Sequence, residues 1–355
     1  METLRLKIDA ARLDSPEARI TVERAAEILR GGGLVALPTE TVYGLGANAL
    51  DAAAVTRIFM AKSRPLWDPV IVHIAGPIVE NPMLQQIAAE VPQTARKLMS
   101  TFWPGPLTLL LPRSSAVPDA VTAGRPLVGV RMPAHPVALE LIRRAGVPIA
   151  APSANLFSHI SPTTAEHVLE DLDGRIDAIL DAGSTLHGVE STVLDPCQNP
   201  MVIYRPGAVT AAQIEAVAGA VVMYREVTGG NERPVALPSP GVGMRHYAPR
   251  ARLVLMEGSL AELPQRVVEC ANAFANERLG LMRPAELDGI ENTRFAADFS
   301  WGRWSAPEEL GHTLYAGLRA LDAAGCTVIL CPMPVDSGIG TALRDRLTKA
   351  ARTGE

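Results

Sequence analysis

The chain lacks most of the features that place a protein quickly. It has only four cysteines in 355 residues, Cys197, Cys270, Cys326 and Cys331. They form no CxxC pair and no zinc-like spacing with histidine. They read as buried free thiols in a reducing compartment rather than a disulfide or metal framework. No run approaches the roughly 18 apolar residues of a membrane-spanning helix. The opening METLRLKIDAARLDSPEARI sets charges where a secretory leader needs an apolar segment, so a cytoplasmic protein without a membrane partner is expected. Excess positive charge is missing too. A net charge of -5 argues against a protein whose main task is coating nucleic acid, and leaves room for transient tRNA contact. GxxxxGK followed by Ser or Thr, GxSxG and HExxH do not occur.

Apolar residues are plentiful. At 48% hydrophobic content the chain can bury a full core and is long enough for two domains. Val22, Ala25, Ala26 and Leu29 recur at helical spacing, and the glycines Gly31 to Gly33 stop that helix before an apolar strand, Leu34 to Leu37. Asp51 is placed to cap a second helix through Val55, Ile58, Phe59 and Lys62, with Arg64 just beyond. PVIVHI reads as a strand with Ile71 and His73 on one face. Apolar and helical stretches alternate to about residue 215, an α/β or α+β block. Periodicity then fades in a Gly- and Pro-rich stretch that reads as a linker, residues 216–250. Residues 251–355 alternate again as a small Rossmann-like α/β domain, without GxGxxG after a strand. No internal repeat is evident.

The first block sets Lys62, Arg64, Arg131, Ser153, Ser161, Ser191 and Arg205 at the ends of expected strands and helices, where α/β proteins build sites. A polyanion suits such a set, because guanidinium forks and ammonium groups make charge-assisted hydrogen bonds to phosphate oxygens. Taken singly, each has a plainer explanation. Lys62 and Arg64 read as solvated charges complementing a helix dipole, His73 as a hydrogen-bonded core histidine, and PSAN, Pro152 to Asn155, as a capped turn. Arg131 needs a partner if buried.

Together the motifs carry more. LPTETVYGLG, AKSRP, PVIVH, WPGPLT, VRMPAHP, APSAN, SPT, GVESTV and RPG follow one another as in the YrdC-like threonylcarbamoyl-AMP synthase family, over nearly all of residues 15–210. The chain resembles its two-domain branch, which carries SPG..RHYAP and a C-terminal α/β block. The resemblance implies a YrdC-like twisted mixed sheet flanked by helices in residues 1–215, a lid formed by the linker, and the Rossmann-like domain. It implies a nucleotidyltransferase that makes threonylcarbamoyl-AMP and pyrophosphate from L-threonine, bicarbonate or CO2, and Mg2+-bound ATP, with no direct protein ligand to the metal. The product would pass to a partner tRNA threonylcarbamoyl transferase complex, for modification of the adenosine next to the anticodon.

Carried over by motif, Lys62 and Arg64 are the expected catalytic residues. They would bind ATP with Ser153, Asn155, Ser161, Arg205, His246 and Tyr247. Thr39, His73, Arg131, Ala151 and Ser191 would bind threonine, Arg131 as a bidentate clamp on its carboxylate. The chain departs from the family pattern at Asp68, usually asparagine, at Leu127, often threonine, and at Val242, Gly243 and Met244 within the lid motif. Two other readings stay open. A carbamoyl transferase of hydrogenase maturation would add an acylphosphatase-like segment and paired CxxC motifs, which this chain lacks, and a non-catalytic module for double-stranded RNA or ribosome maturation would need a local basic concavity.

Overall fold

A computed structural model describes residues 2–225, 239, 246–287 and 294–352. The described chain separates into two compact units. The first comprises Met1–Phe157, Pro162–Leu186 and Glu190–Gly243; the second comprises Ser158–Ser161, His187–Val189 and Met244–Glu355.

The first unit is built on eleven strands: β1 (Leu4–Lys7), β2 (Val35–Leu37), β3 (Gly44–Asn48), β4 (Ile71–His73), β5 (Leu107–Pro112), β6 (Leu127–Arg131), β7 (Ile149–Ala150), β8 (Ala178–Asp181), β9 (Thr192–Asp195), β10 (Met201–Arg205) and β11 (Val221–Met223). Their order is β1-β8-β2-β3-β7-β4-β6-β5-β9-β10-β11. The sheet is mixed: β4 runs parallel to β6 and β5 to β9, while β2 and β3, β5 and β6, and β9 and β10 are antiparallel.

The expected first helix forms as α1 (Pro16–Arg30), capped by Ser15, and buries Val22, Ala25, Ala26 and Leu29. Burying Val22 and Leu29 contributes about 1.5–3 kcal/mol each. Alternate residues of the strand that follows go to opposite faces. Val35 and Leu37 join the apolar cluster of α1 and the helix Pro136–Ala145, whereas Leu34 and Ala36 join the larger cluster on the other side. The second helix, α2 (Ala52–Lys62), starts at Asp51, whose carboxylate accepts from the Ala53 and Ala54 amides. It ends because Ser63 turns left-handed at φ 52°, which swings Arg64 off the helix axis.

β3 was not anticipated, since GLGAN has no alternating apolar pattern. It forms because β2 offers a partner, with Val35 opposite Gly46, and because a Cβ at Gly46 would stand 2.9 Å from Leu37 and Ile149 side-chain carbons. Residues 216–223, assigned to the linker by composition, instead end the helix Ala211–Ala218 and supply β11, which pairs in parallel with β10. The rest of the linker, apart from Tyr224, Arg225, Ser239 and residues 246–250, lies outside the described residues.

The second unit has four parallel strands, β12 (Arg252–Met256), β13 (Leu279–Pro284), β14 (Phe295–Gly302) and β15 (Val328–Pro332), ordered β12-β15-β13-β14. The helices Leu263–Ala273, Pro307–Ala323 and Ile339–Ala351 accompany them, as a Rossmann-like reading expects. Among the described residues no helix is long and apolar enough to cross a membrane.

Candidate functional site

The turn after β2 is a knot of small polar groups. Thr39 Oγ1 donates to the Val42 carbonyl at 2.6 Å, accepts from the Thr41 and Val42 amides, and lies 2.8 Å from Thr41 Oγ1. Thr41 Oγ1 also accepts from Arg131 Nη1 at 3.0 Å, so the hydroxyls of the turn connect to the end of β6. Arg131 is buried and engaged on every nitrogen: Nε donates to the Gly105 carbonyl at 3.2 Å, and Nη2 lies 2.6 Å from Glu40 Oε1. The expected bidentate grip on a substrate carboxylate would therefore share a guanidinium already held by Glu40 and Thr41. Burial alone would raise the Glu40 carboxyl, but Arg131 beside it outweighs burial and holds it below the usual range.

His73 stands opposite Arg131 in the parallel β4–β6 register. Burial, and after it the Arg131 charge, lowers its pKa from 6.5 to about 3, so the imidazole is neutral. Its Nδ1 is buried and has no hydrogen-bond partner among the described residues. Ala151 is buried behind this group, with its amide donating to the Ile71 carbonyl at 2.8 Å.

A second polar group lies along the PSAN loop. The loop is tied to the chain that follows the threonine turn, because the Leu45 amide donates to the Pro152 carbonyl and the Ala154 amide to the Tyr43 carbonyl. Lys62 closes it from the other side. Its Nζ donates to the Ser153 carbonyl at 2.6 Å and to the Asn155 carbonyl, and only 1% of the residue is exposed. Burial and the nearby Arg64 charge lower the Lys62 pKa well below its ordinary value, against the pull of Asp171 and Asp68. Arg64, 8% exposed, has Nη2 2.9 Å from Asp68 Oδ2 and donates to the Asp68 and Pro69 carbonyls.

Both residues are thus buried, and the solvated-charge reading of a helix end does not hold for them. The unusual Asp68 faces Arg64. Its carboxyl is raised by burial, against the charges of Arg64, Lys62 and Arg205, of which Arg64 is in direct contact with it.

Arg205, at the end of β10, donates through Nε to the Ser191 carbonyl at 3.0 Å and through Nη2 to Ser191 Oγ at 3.1 Å. Ser191 Oγ in turn lies 2.8 Å from Thr108 Oγ1. Ser191, expected with the threonine residues, is therefore joined directly to a cation of the other group. Gly207 of RPG presses on this corner: a Cβ there would meet the Thr192 amide and the Glu190 carbonyl. Leu127 lines a narrow recess with Val70, Val121, Thr122, Gly129 and the fully buried Ser239.

The remaining expected nucleotide residues belong to the second unit. Ser161 is buried within the segment Ser158–Ser161, which belongs to the second unit. So do His246 and Tyr247. Tyr247, left-handed at φ 63°, is buried with its ring stacked on Tyr315 at 5.9 Å and with the Arg346 guanidinium 5.2 Å above it. Residues 240–245, the rest of the lid motif, lie outside the described residues. Glu40, Thr41 and Thr108 were not singled out from sequence. For Glu40 the signal was there, a carboxylate amid hydroxyls directly after a buried strand.

Fold and site together define a two-unit α/β protein whose larger unit buries cations and small polar groups in a manner suited to anionic and zwitterionic ligands. The family model described as telomere recombination, Sua5/YciO/YrdC, matches residues 27–207, and that described as threonylcarbamoyl-AMP synthase, C-terminal domain, matches residues 209–352. The chain is 44% identical over 335 residues to the threonylcarbamoyl-AMP synthase of Bacillus subtilis, covering 93% of this chain and 92% of the relative. To that of Pyrococcus abyssi it is 43% identical over 329 residues, covering 92% and 93%. The crystal structure of P. abyssi Sua5 complexed with L-threonine matches with a TM-score of 0.87 at 40% identity, over 99% of this chain and 98% of that one. The chain belongs to the threonylcarbamoyl-AMP synthase family.

Proposed function

We propose that this protein is an L-threonylcarbamoyladenylate synthase, a nucleotidyltransferase that converts L-threonine, bicarbonate or CO2, and ATP to threonylcarbamoyl-AMP and pyrophosphate. The product would serve tRNA modification through a separate threonylcarbamoyl transferase complex. The observation that carries this reading is the burial of Lys62, Arg64 and Arg205 about Asp68, in a chain of this family.

The chemistry needs such a group. A neutral threonine amine forms an N–C bond with CO2 and releases one N–H proton to solvent, and a carbamate oxygen then attacks the α-phosphorus of ATP as the bond to pyrophosphate breaks. Two anions must meet. In a site of low dielectric their repulsion is tolerable only beside fixed positive charge. We assign Lys62, Arg64 and Arg205 to the triphosphate, with Ser153 and Asn155 toward the nucleotide, and Thr39, His73, Arg131, Ala151 and Ser191 toward the amino acid. The neutral His73 can exchange a hydrogen bond with a polar ligand group without adding charge.

Mg2+ bound with ATP would neutralise phosphate charge. Among the described residues no group of three His, Cys, Asp or Glu side chains suited to a metal comes together. Asp68, the buried carboxylate of this corner, is held in an ion pair by Arg64, so no protein ligand to that ion is assigned. No side chain is assigned as a general base; holding the reactants side by side supplies the rate advantage.

The test is pyrophosphate release by the purified protein, with mass spectrometry of the product made from ATP, threonine and labelled bicarbonate. Release that requires both threonine and bicarbonate, with the labelled adenylate formed, is the expected result. Release indifferent to threonine would overturn the reading.

A further inference from the structure

We infer that Glu40 is a positioning residue for amino-acid recognition: it fixes the guanidinium of Arg131, and through Thr41 the threonine turn, in the geometry that receives the substrate's carboxylate. The inference rests on the threonine-binding role proposed above for Arg131 and Thr39, and deepens it.

An arginine side chain has many rotamers, and a site that must grip one small zwitterion needs its fork held before the ligand arrives. Here each nitrogen of the fork has a neighbour, two of them hydrogen-bond acceptors and the third a carboxylate in ion-pair contact. Nη2 has the Glu40 carboxylate at 2.6 Å, Nη1 the Thr41 hydroxyl at 3.0 Å, and Nε the Gly105 carbonyl at 3.2 Å. Of these partners only Glu40 carries charge. Both side chains of the pair are nearly inaccessible, 4% for Arg131 and 6% for Glu40, so water cannot stand in for the carboxylate.

Glu40 also lies inside the turn it serves. Thr39 precedes it and Thr41 follows, and their hydroxyls are 2.8 Å apart. One residue thereby couples the backbone of the turn to the end of β6, where His73 stands alongside in register. The ion pair could instead be a plain core contact. A positioning role differs from that in what its loss does: it impairs threonine recognition selectively, leaving the fold and the nucleotide site in place.

The experiment compares wild type with Glu40→Gln and Glu40→Ala by calorimetric titration with L-threonine, KM for threonine and for ATP, kcat, and thermal melting. Glutamine keeps the shape and one acceptor for Nη2 but not the charge, so it should weaken threonine binding roughly threefold to tenfold, and alanine by more than roughly tenfold. KM for ATP should change less than about twofold in both, as among the described residues Glu40 pairs with Arg131 and makes no hydrogen bond or ion pair with the Lys62 group. Should alanine fail to fold, the glutamine variant decides. Threonine binding at the wild-type level, or equal loss of affinity for both substrates, would overturn the assignment. A wild type that binds no threonine would overturn the reading beneath it as well, so the two failures are distinct.

Discussion

Arg64 and Asp68 invite a double-mutant cycle, because each is buried and each is the other's counter-charge. In Arg64→Met, Asp68 loses the guanidinium 2.9 Å from its Oδ2, and the Asp68 and Pro69 carbonyls lose a donor. Removing one partner of a buried pair typically costs about 3–5 kcal/mol, and here the Lys62 and Arg205 charges still acting on Asp68 favour the low end of that range. The double variant Arg64→Met/Asp68→Asn carries neither charge of the pair. Its loss reduces to polar groups left without partners, roughly 1–3 kcal/mol. The double variant should therefore be more stable than Arg64→Met alone by about 2 kcal/mol, and with Asp68→Asn as the fourth corner of the cycle the two single losses should sum to at least about 1 kcal/mol more than the double loss.

Activity should not follow stability. Pyrophosphate release, assayed at saturating threonine and bicarbonate, should fall at least about 100-fold in Arg64→Met, close to the loss reported for single transition-state donors, and should stay low in the double variant. Urea unfolding followed by tryptophan fluorescence supplies the stabilities. Additivity within about 0.5 kcal/mol would refute the coupling. Near wild-type turnover in Arg64→Met would remove Arg64 from the reaction.

Three further outcomes are expected. Lys62→Met should abolish pyrophosphate release and destabilise the first unit, because the Ser153 and Asn155 carbonyls lose their buried donor; full activity in a steady-state assay would exclude the role. Acidification should weaken the fold through His73, whose pKa is about 3 when folded against 6.5 as a model value. The unfolded chain takes up a proton below that higher value and the native chain does not, so this stability is present above 6.5 and is lost on acidification. The loss is about 1.4 kcal/mol per pH unit, or roughly 2.7 kcal/mol between pH 6.5 and pH 4.5. His73→Gln should flatten the stability curve in that window, and parallel curves would contradict a buried neutral imidazole. Gly207→Ala should push the backbone at Glu190–Thr192 away from Arg205 and raise KM for ATP; kinetics like wild type would show that this corner tolerates the shift.

Much of this was legible in the chain, unevenly. The spacing of Val22, Ala25, Ala26 and Leu29 and the cap at Asp51 marked α1 and α2, because helices answer to local pattern. GLGAN did not announce β3, since its pairing is decided by β2 and by room that only glycine leaves. Motif order pointed to Lys62, Arg64, Arg131 and Arg205, yet it could not show what holds them. Lys62 resembles any charge in a last helical turn until a loop far along the chain arrives to bury it. Likewise Glu40 and Arg131 are distant in sequence, and only the sheet brings β6 to the turn after β2.

The smaller unit owes part of itself to an early stretch of chain. Ile160, whose carbonyl accepts from Arg319, and His159, which bridges to Ala248, are made long before the segments they meet. This half is consequently not a cassette with a single cut point. A gene fragment beginning at the linker would encode its four strands and omit pieces of its packing, so fusions or swaps between relatives must carry Ser158–Ser161 and His187–Val189 along.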